Sequence, residues 1–255
     1  MNTKIVKSLL ISLLTLVASA TVSAHEHAFF DTSRPQKVLT FGLRAGMNSS
    51  GMQTNYLKLQ PELIHGNFYW RSGMQIGGVA DLHIRNYFAI EVGLYWENKG
   101  YDCSMMAATA EDDYMSSMYG HMRHNDLSVP VMLSFRLNVL PQAMCHIDIG
   151  GYWTYGIGGK KSLKSYFAYG AQDGQLVFDQ METEANYYGS NPKDFLSVDR
   201  TDLGLRVGTG LTFFNRYFVG VYYQHSLKNI AQNFDGGPNY RFQNNSWSVN
   251  IGYNF

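Results

Sequence analysis

The chain has 255 residues, no formal net charge and 16% charged residues, well short of the quarter or so usual in soluble domains. A neutral balance leaves no basic footprint for nucleic acid, so that partner class is excluded. Hydrophobic residues make up 45%, with 18 Tyr, 15 Phe and 25 Gly against only 6 Pro, a mixture that favours strands and tight turns over helices.

Residues 1–24 are expected to be a removed signal peptide. Lys4 and Lys7 form a basic start, Leu9 to Val17 an apolar stretch, and Val22-Ser23-Ala24 a small-residue cleavage site. The stretch is too short to cross a bilayer as a helix. With no Cys near the cleavage point, a lipoprotein anchor is not expected. The mature chain then begins near His25, with residues 25–38 as a short periplasmic tail and 39–255 as one domain. His25-Glu26-His27 lacks the four-residue spacing of the helical zinc motif and reads as an exposed tail.

From there the dominant periodicity is two. Weaker alternation runs over 39–48 and 70–82. It is clear from Phe88 through Ile90, Val92, Leu94 and Trp96, and again at Val129, Val131, Leu133, Phe135 and Leu137. Ile147, Ile149, Trp153 and Ile157 continue it, then Leu203, Leu205, Val207, Leu211 and Phe213, and last Trp247, Val249, Ile251, Tyr253 and Phe255. Eight strands are predicted, at 39–48, 70–82, 87–98, 126–138, 145–159, 201–213, 217–228 and 246–255, each near the length a tilted strand needs to cross hydrocarbon. Their connections alternate. Those at Arg85-Asn86, Leu140-Pro141-Gln142 and Asn215-Arg216 are tight; those at 49–69, 99–125, 160–200 and 229–245 are long. This asymmetry predicts an eight-stranded antiparallel up-and-down transmembrane β-barrel with short periplasmic turns and long extracellular loops. An even strand count puts both termini in the periplasm.

Trp70, Trp96, Trp153 and Trp247 then fall in the outer half as an aromatic girdle, with Phe213, Phe214, Tyr217 and Phe218 at the other rim. The bland alternative is that aromatics are common in strands. The inward parity holds Arg44, Gln75, Asp81, Glu91, Arg136, Asp148, Asp202 and Arg206 among many glycines. Both signs in so narrow a lumen must pair, because an isolated buried charge costs several kcal/mol. A salt-bridged plug is expected, with inward glycines making room for Arg and Tyr side chains from opposite strands. Cys103 and Cys145 fall at opposite barrel ends, too far apart for a disulfide.

The strand at Phe41-Gly42-Leu43-Arg44-Ala45-Gly46-Met47-Asn48 resembles the opening strand of the outer-membrane β-barrel family common in Bacteroidetes, of which PorT is the named member. Asn125-Asp126-Leu127-Ser128-Val129-Pro130-Val131-Met132-Leu133 is similar to its central strand. Residues 203–210 and 222–230 resemble its late strands, and Ser248 to Phe255 its last one. The resemblance covers nearly the whole mature chain. It implies that the closing Ile251, Tyr253 and Phe255 form the signal read by barrel-assembly machinery, and it carries no catalytic residue. Asp126 and the Met-rich stretch 99–125 depart from the family pattern. PorT itself is implicated in type IX secretion.

Three places are weighed for chemistry. His121 and His124, with Met115, Met118 and Met122, have soft-metal donors, but a flexible solvated loop is the preferred reading and no metal is assigned. His225-Ser226 suggests a lipid A acyl hydrolase or acyltransferase. Adjacent strand residues face opposite ways, however, so His225 cannot activate Ser226 directly. Loop 160–200 carries Tyr166, Phe167, Tyr169, Tyr187, Tyr188 and Phe195 among Asp173, Asp179, Glu182, Glu184, Asp194 and Asp199, which suits a surface interaction site; folding back onto the rim is the alternative. The expectation is a non-enzymatic integral outer-membrane protein without cofactor. Its partners would be membrane lipids, assembly machinery and an unidentified protein or surface ligand at 160–200. A lipid-modifying enzyme and a small pore are the competing readings.

Overall fold

The computed structural model describes residues 30–59, 63–109, 114–140, 142–170, 175–189, 196–233 and 238–255. The leader, its cleavage site, His25-Glu26-His27, Pro141, Asp173, Asp194 and Phe195 lie outside the described residues.

Among the described residues nine antiparallel strands follow one another: β1 (Leu39–Thr54), β2 (Leu63–Arg85), β3 (Phe88–Thr109), β4 (Tyr114–Leu140), β5 (Ala143–Gly170), β6 (Leu176–Asn186), β7 (Thr201–Phe213), β8 (Tyr217–Ser226) and β9 (Phe242–Asn254). Eight of them close a ring. Neighbours pair in the order β1-β2-β3-β4-β5-β7-β8-β9, and β9 returns to β1 from Gly42↔Asn254 to Thr54↔Phe242. Closure leaves the ring no free edge, which is what a sheet in hydrocarbon requires. The fold is the all-β, up-and-down barrel that the alternation predicts.

The faces are inverted relative to a soluble barrel. Leu43, Met47, Ile76, Leu94, Ile149, Val249 and Ile251 are exposed on the outside, while Arg44, Gln75, Glu91, Asp148, Arg206 and Asn250 are buried inside. Water would not tolerate so continuous an apolar belt, and lipid would.

One end carries tight turns. At Phe214 and Asn215 φ is 54° and 57°, and the Arg216 N–H donates to the Phe213 carbonyl at 3.0 Å, as a type I′ hairpin turn requires. The other end corrects the sequence reading. The 99–125 segment is no loop: β3 and β4 run on as a hairpin with only 110–113 between them. Likewise β5 continues to Gly170 and pairs with a ninth strand, β6, from Lys160↔Asn186 to Gly170↔Leu176. β6 thus occupies the edge of β5 directly beyond the stretch paired with β7. Beyond the apolar belt both sheet faces are polar or mixed, so hydropathy no longer alternates and the strands read as loops.

Residues 187–189 and 196–200 leave the sheet and tuck into the barrel mouth. Tyr187, Leu196 and Val198, with Ile230 and Phe242, pack on Met52, Tyr101, Cys103, Met105 and Met122 as a buried apolar cap. Val198 bridges to Ala231, so the two segments hold each other there. A 3-10 turn at Tyr56–Leu59 adds Tyr56 and Leu57 to its edge.

Candidate functional site

The lumen and its cap are the places where this chain concentrates polar chemistry. Strand parity points one side chain in two inward. Arg44 comes from β1, Asp81 from β2, Glu91 from β3, Arg136 from β4, Asp148 from β5, and Asp202 and Arg206 from β7; all seven are buried. They do not form one cluster but several levels along the axis.

Nearest the turn end, Arg136 meets Asp81 at 3.0 Å and His83 Nδ1 at 3.0 Å, while His83 Nε2 lies 2.9 Å from the Thr40 hydroxyl. An Arg only donates, so Nδ1 accepts and Nε2 carries the proton toward Thr40. Midway, the Tyr222 hydroxyl donates to Asp148 at 2.8 Å, and Gln75 donates to Asn250 at 2.6 Å. Arg206 sits over Tyr222 and Tyr95, with its charge centre 4.5 and 5.1 Å from their ring centroids, and Arg44 over Phe218 at 4.2 Å. Higher still, Glu97 lies between Arg206, at 3.9 Å, and the Lys99 ammonium, which also donates to Gln224 at 3.0 Å. Asp202 accepts from Ser226 at 2.6 Å and from Tyr152 at 3.4 Å.

The large side chains fit because glycines stand opposite them. A Cβ on Gly208 would run into the Tyr222 ring, one on Gly204 into Tyr152, and one on Gly252 into Arg44. In each case the two residues are direct cross-strand partners: Gly208↔Tyr222, Tyr152↔Gly204, Arg44↔Gly252. The side chains therefore come from adjacent strands, not from the opposite wall as the sequence suggested. Room is made by the nearest neighbour in the ladder.

Glu97, Lys99 and Lys161 are also buried and were missed by the sequence reading, which named His124 and Asp126 but not their burial. Glu97 and Lys99 continue the inward parity of Glu91, so extending that strand would have found them. His124 sits on β4, and its Nδ1 lies 2.9 Å from Asp126. The Tyr188 hydroxyl donates to Asp126 at 2.5 Å, and the His124 ring stacks on Tyr187 at 4.5 Å. His124 is thus part of the cap, His121 faces outward beside Asp102, and the proposed flexible histidine loop does not exist. Asp126, the departure from the resembled family, is the residue that ties Tyr188 down. Tyr187 and Tyr188 belong to this buried cap, whereas Tyr166 and Tyr169 remain exposed on β5.

The Ser226 hydroxyl donates to Asp202, with the Lys228 carbonyl 2.9 Å away, while His225 is turned to Asn245 at 2.6 Å. No imidazole reaches Ser226 among the described residues. Trp70, Trp96, Trp153 and Trp247 lie on the outside toward the long-loop end, with Trp247 on Tyr223 at 4.6 Å. Ile251 near the end of β9 and Phe255 just past it are exposed, and Tyr253 packs edge-on against Tyr217 at 5.6 Å. Cys103 and Cys145 are both free. At the turn end, residues 30–38 lie along the β2–β3 turn, where Asn86 donates to Asp31 at 2.7 Å. That bond and those from Ser33 hold the Asp31 carboxyl below its ordinary pKa, with the Ser33 bonds contributing most.

Solved structures with a similar chain course are outer-membrane barrels. Ail of Yersinia pestis aligns at 12% identity and TM-score 0.35 over 85% of this chain and 98% of its own. OprG of Pseudomonas aeruginosa aligns at 13% and 0.40 over 86% and 97%, and the Neisserial surface protein NspA at 10% and 0.33 over 84% and 97%. No curated protein matches the chain. Residues 30–232 match the family described as outer membrane protein beta-barrel domain, and the chain belongs to that outer-membrane family.

Proposed function

We propose that this protein is a non-enzymatic surface barrel: a sealed eight-strand cylinder that holds a rigid sheet above the membrane for a partner to engage. Its long-loop end faces outward, its termini lie in the periplasm, and residues 1–24 are its removed leader. The observation that carries this reading is β6. Among the described residues it pairs with β5 alone, so one whole edge of an eleven-residue strand offers unpaired backbone groups. Leu176, Phe178 and Met181 are exposed along it. Such an edge invites an added strand, whose backbone bonds give affinity while side-chain pockets give specificity.

A photoreactive residue at Gln180, with a second at Asn215 in the turn end, tests this in native membranes. Discrete crosslinks from position 180 are expected, together with loss of partner co-purification from the otherwise unlabelled chain when residues 164–182 are replaced by Asn-Gly. Crosslinks from position 215 alone would overturn the reading. The replacement leaves Leu163 opposite Thr183, which already pair, and spares the cap.

The lipid-modifying alternative is disfavoured because Ser226 is bonded to a carboxylate and not to a base. The small pore is disfavoured by the Glu97 level, where acid, Lys99 and Arg206 share the cross-section. A secretion-related role of the PorT kind rests on the strand resemblances at 41–48 and 125–133. Secretion of surface cargo by a deletion strain at the normal level would remove it.

A further inference from the structure

The outside of the barrel carries a row of cations immediately beyond the apolar belt. On β4 and β5, Arg123 and Lys160 are direct cross-strand partners, both exposed. Like charges placed directly opposite are destabilising, and the strands offer them little relief. Arg123 makes no ion pair among the described residues. Lys160 reaches Glu184 only at 4.0 Å, with both side chains largely in solvent. A third cation joins from the other side. Gly100 is the β3 partner of Arg123, and the Arg71 stem crosses it, its Cδ 3.2 Å from where a Cβ would stand. The absent side chain at 100 leaves an open floor. Asp102 holds Arg71 and His121 in place, at 3.0 Å each. The result is a groove of about 350 Å³ bordered by Arg71, His121, Arg123, Lys160, Ser162 and Glu184.

Its height identifies what it meets. Arg123 is four residues beyond lipid-facing Leu127, and Lys160 three beyond exposed Ile157, with Tyr155 and Trp153 just below. At about 3.3 Å per residue and a tilt near 40°, the row stands roughly 8–10 Å beyond Leu127 and Ile157, within the headgroup layer. A solution anion would have no reason to prefer this level. A phosphate attached to acyl chains is held there.

We propose that Arg71, Arg123 and Lys160 bind a phosphate of an outer-leaflet glycolipid headgroup. Its chains lie along Leu127, Tyr155 and Ile157, and the Ser162 hydroxyl stands at the groove to donate. The proposal rests on the outward placement of the long-loop end.

The test is native mass spectrometry of the full barrel in detergent, titrated with bis-phosphorylated lipid A, enzymatically dephosphorylated lipid A, or inorganic phosphate. One retained lipid A per barrel is expected. Binding should weaken at least tenfold for the dephosphorylated lipid and for Arg123→Ala/Lys160→Ala, and Arg123→Lys should retain most of it. Equal binding of the two lipids, undiminished binding by the double variant, or equally tight binding of inorganic phosphate would each overturn the proposal. Both substituted side chains are exposed, and heat-modifiable migration verifies that the variant folds. Orientation is read separately, by impermeant maleimide on Met181→Cys in intact cells. Labelling only after permeabilisation would overturn the outward placement and, with it, this lipid, while the detergent result would still report the groove's own chemistry.

Discussion

Buried charge is tolerated here only in company, and the cost of breaking that company can be measured. Asp81 is the carboxylate facing Arg136, both nearly solvent-free. Asp81→Ala leaves the guanidinium with a neutral imidazole as its remaining side-chain partner, which should destabilise the barrel by roughly 3–5 kcal/mol. Urea unfolding in micelles measures this, and a loss under about 1 kcal/mol would show that water already reaches the pair. Asp81→Leu with Arg136→Met should recover most of the loss. Cys103 offers a second residue-scale test, on β3 above the apolar belt. Burial pushes its thiol up to about 12, the neighbouring Asp102 adds to this, and the Gly120 N–H only partly offsets it. At pH 8 it should therefore hold almost no thiolate and resist maleimide in the folded protein of a Cys145→Ser variant. Labelling at the rate of the urea-unfolded chain would contradict the burial of the cap.

The cap is the element whose removal should separate cleanly from the barrel. Tyr187 stacks on His124 and meets Tyr101 edge-on at 6.3 Å. Tyr187→Ala should cost about 3–5 kcal/mol of cap stability, by analogy with other large aromatic truncations. Amide exchange at 196–199 should then accelerate while the strands below keep their protection; uniform acceleration would mean that cap and barrel are one cooperative unit. The elements differ in how far they could be read from the chain. β7 and β9 were legible because lipid on one side and polar lumen on the other impose strict alternation, as at Leu203–Arg206. The upper half of β4 was not, since Met115 and Tyr119 point out while Met118 and Met122 point in, and apolar residues on both parities erase the signal. β6 was invisible for the opposite reason: exposed on nearly every residue and acidic, it has a loop's composition, and its strand state comes from the edge of β5. Glu97 and Lys99 sat on a legible parity but past or near the point where the strand was ended. The pairing of Ser226 with Asp202 needed three dimensions, because nothing in sequence spacing relates β7 to the end of β8.

At the scale of the whole molecule, a lumen crossed by paired side chains explains why so neutral a chain holds so many buried charges. Arg44, Lys99, Arg136 and Arg206 answer Asp81, Glu91, Glu97, Asp148 and Asp202 across a lumen only eight strands wide, and cross-strand glycines let Tyr152 and Tyr222 fill what remains. The apolar cap then closes one mouth. The most direct test is conductance in planar bilayers at high salt and stepped voltage. The purified, heat-modifiable barrel should insert and stay electrically silent; reproducible unitary steps at low voltage would show an open path and contradict the sealed lumen.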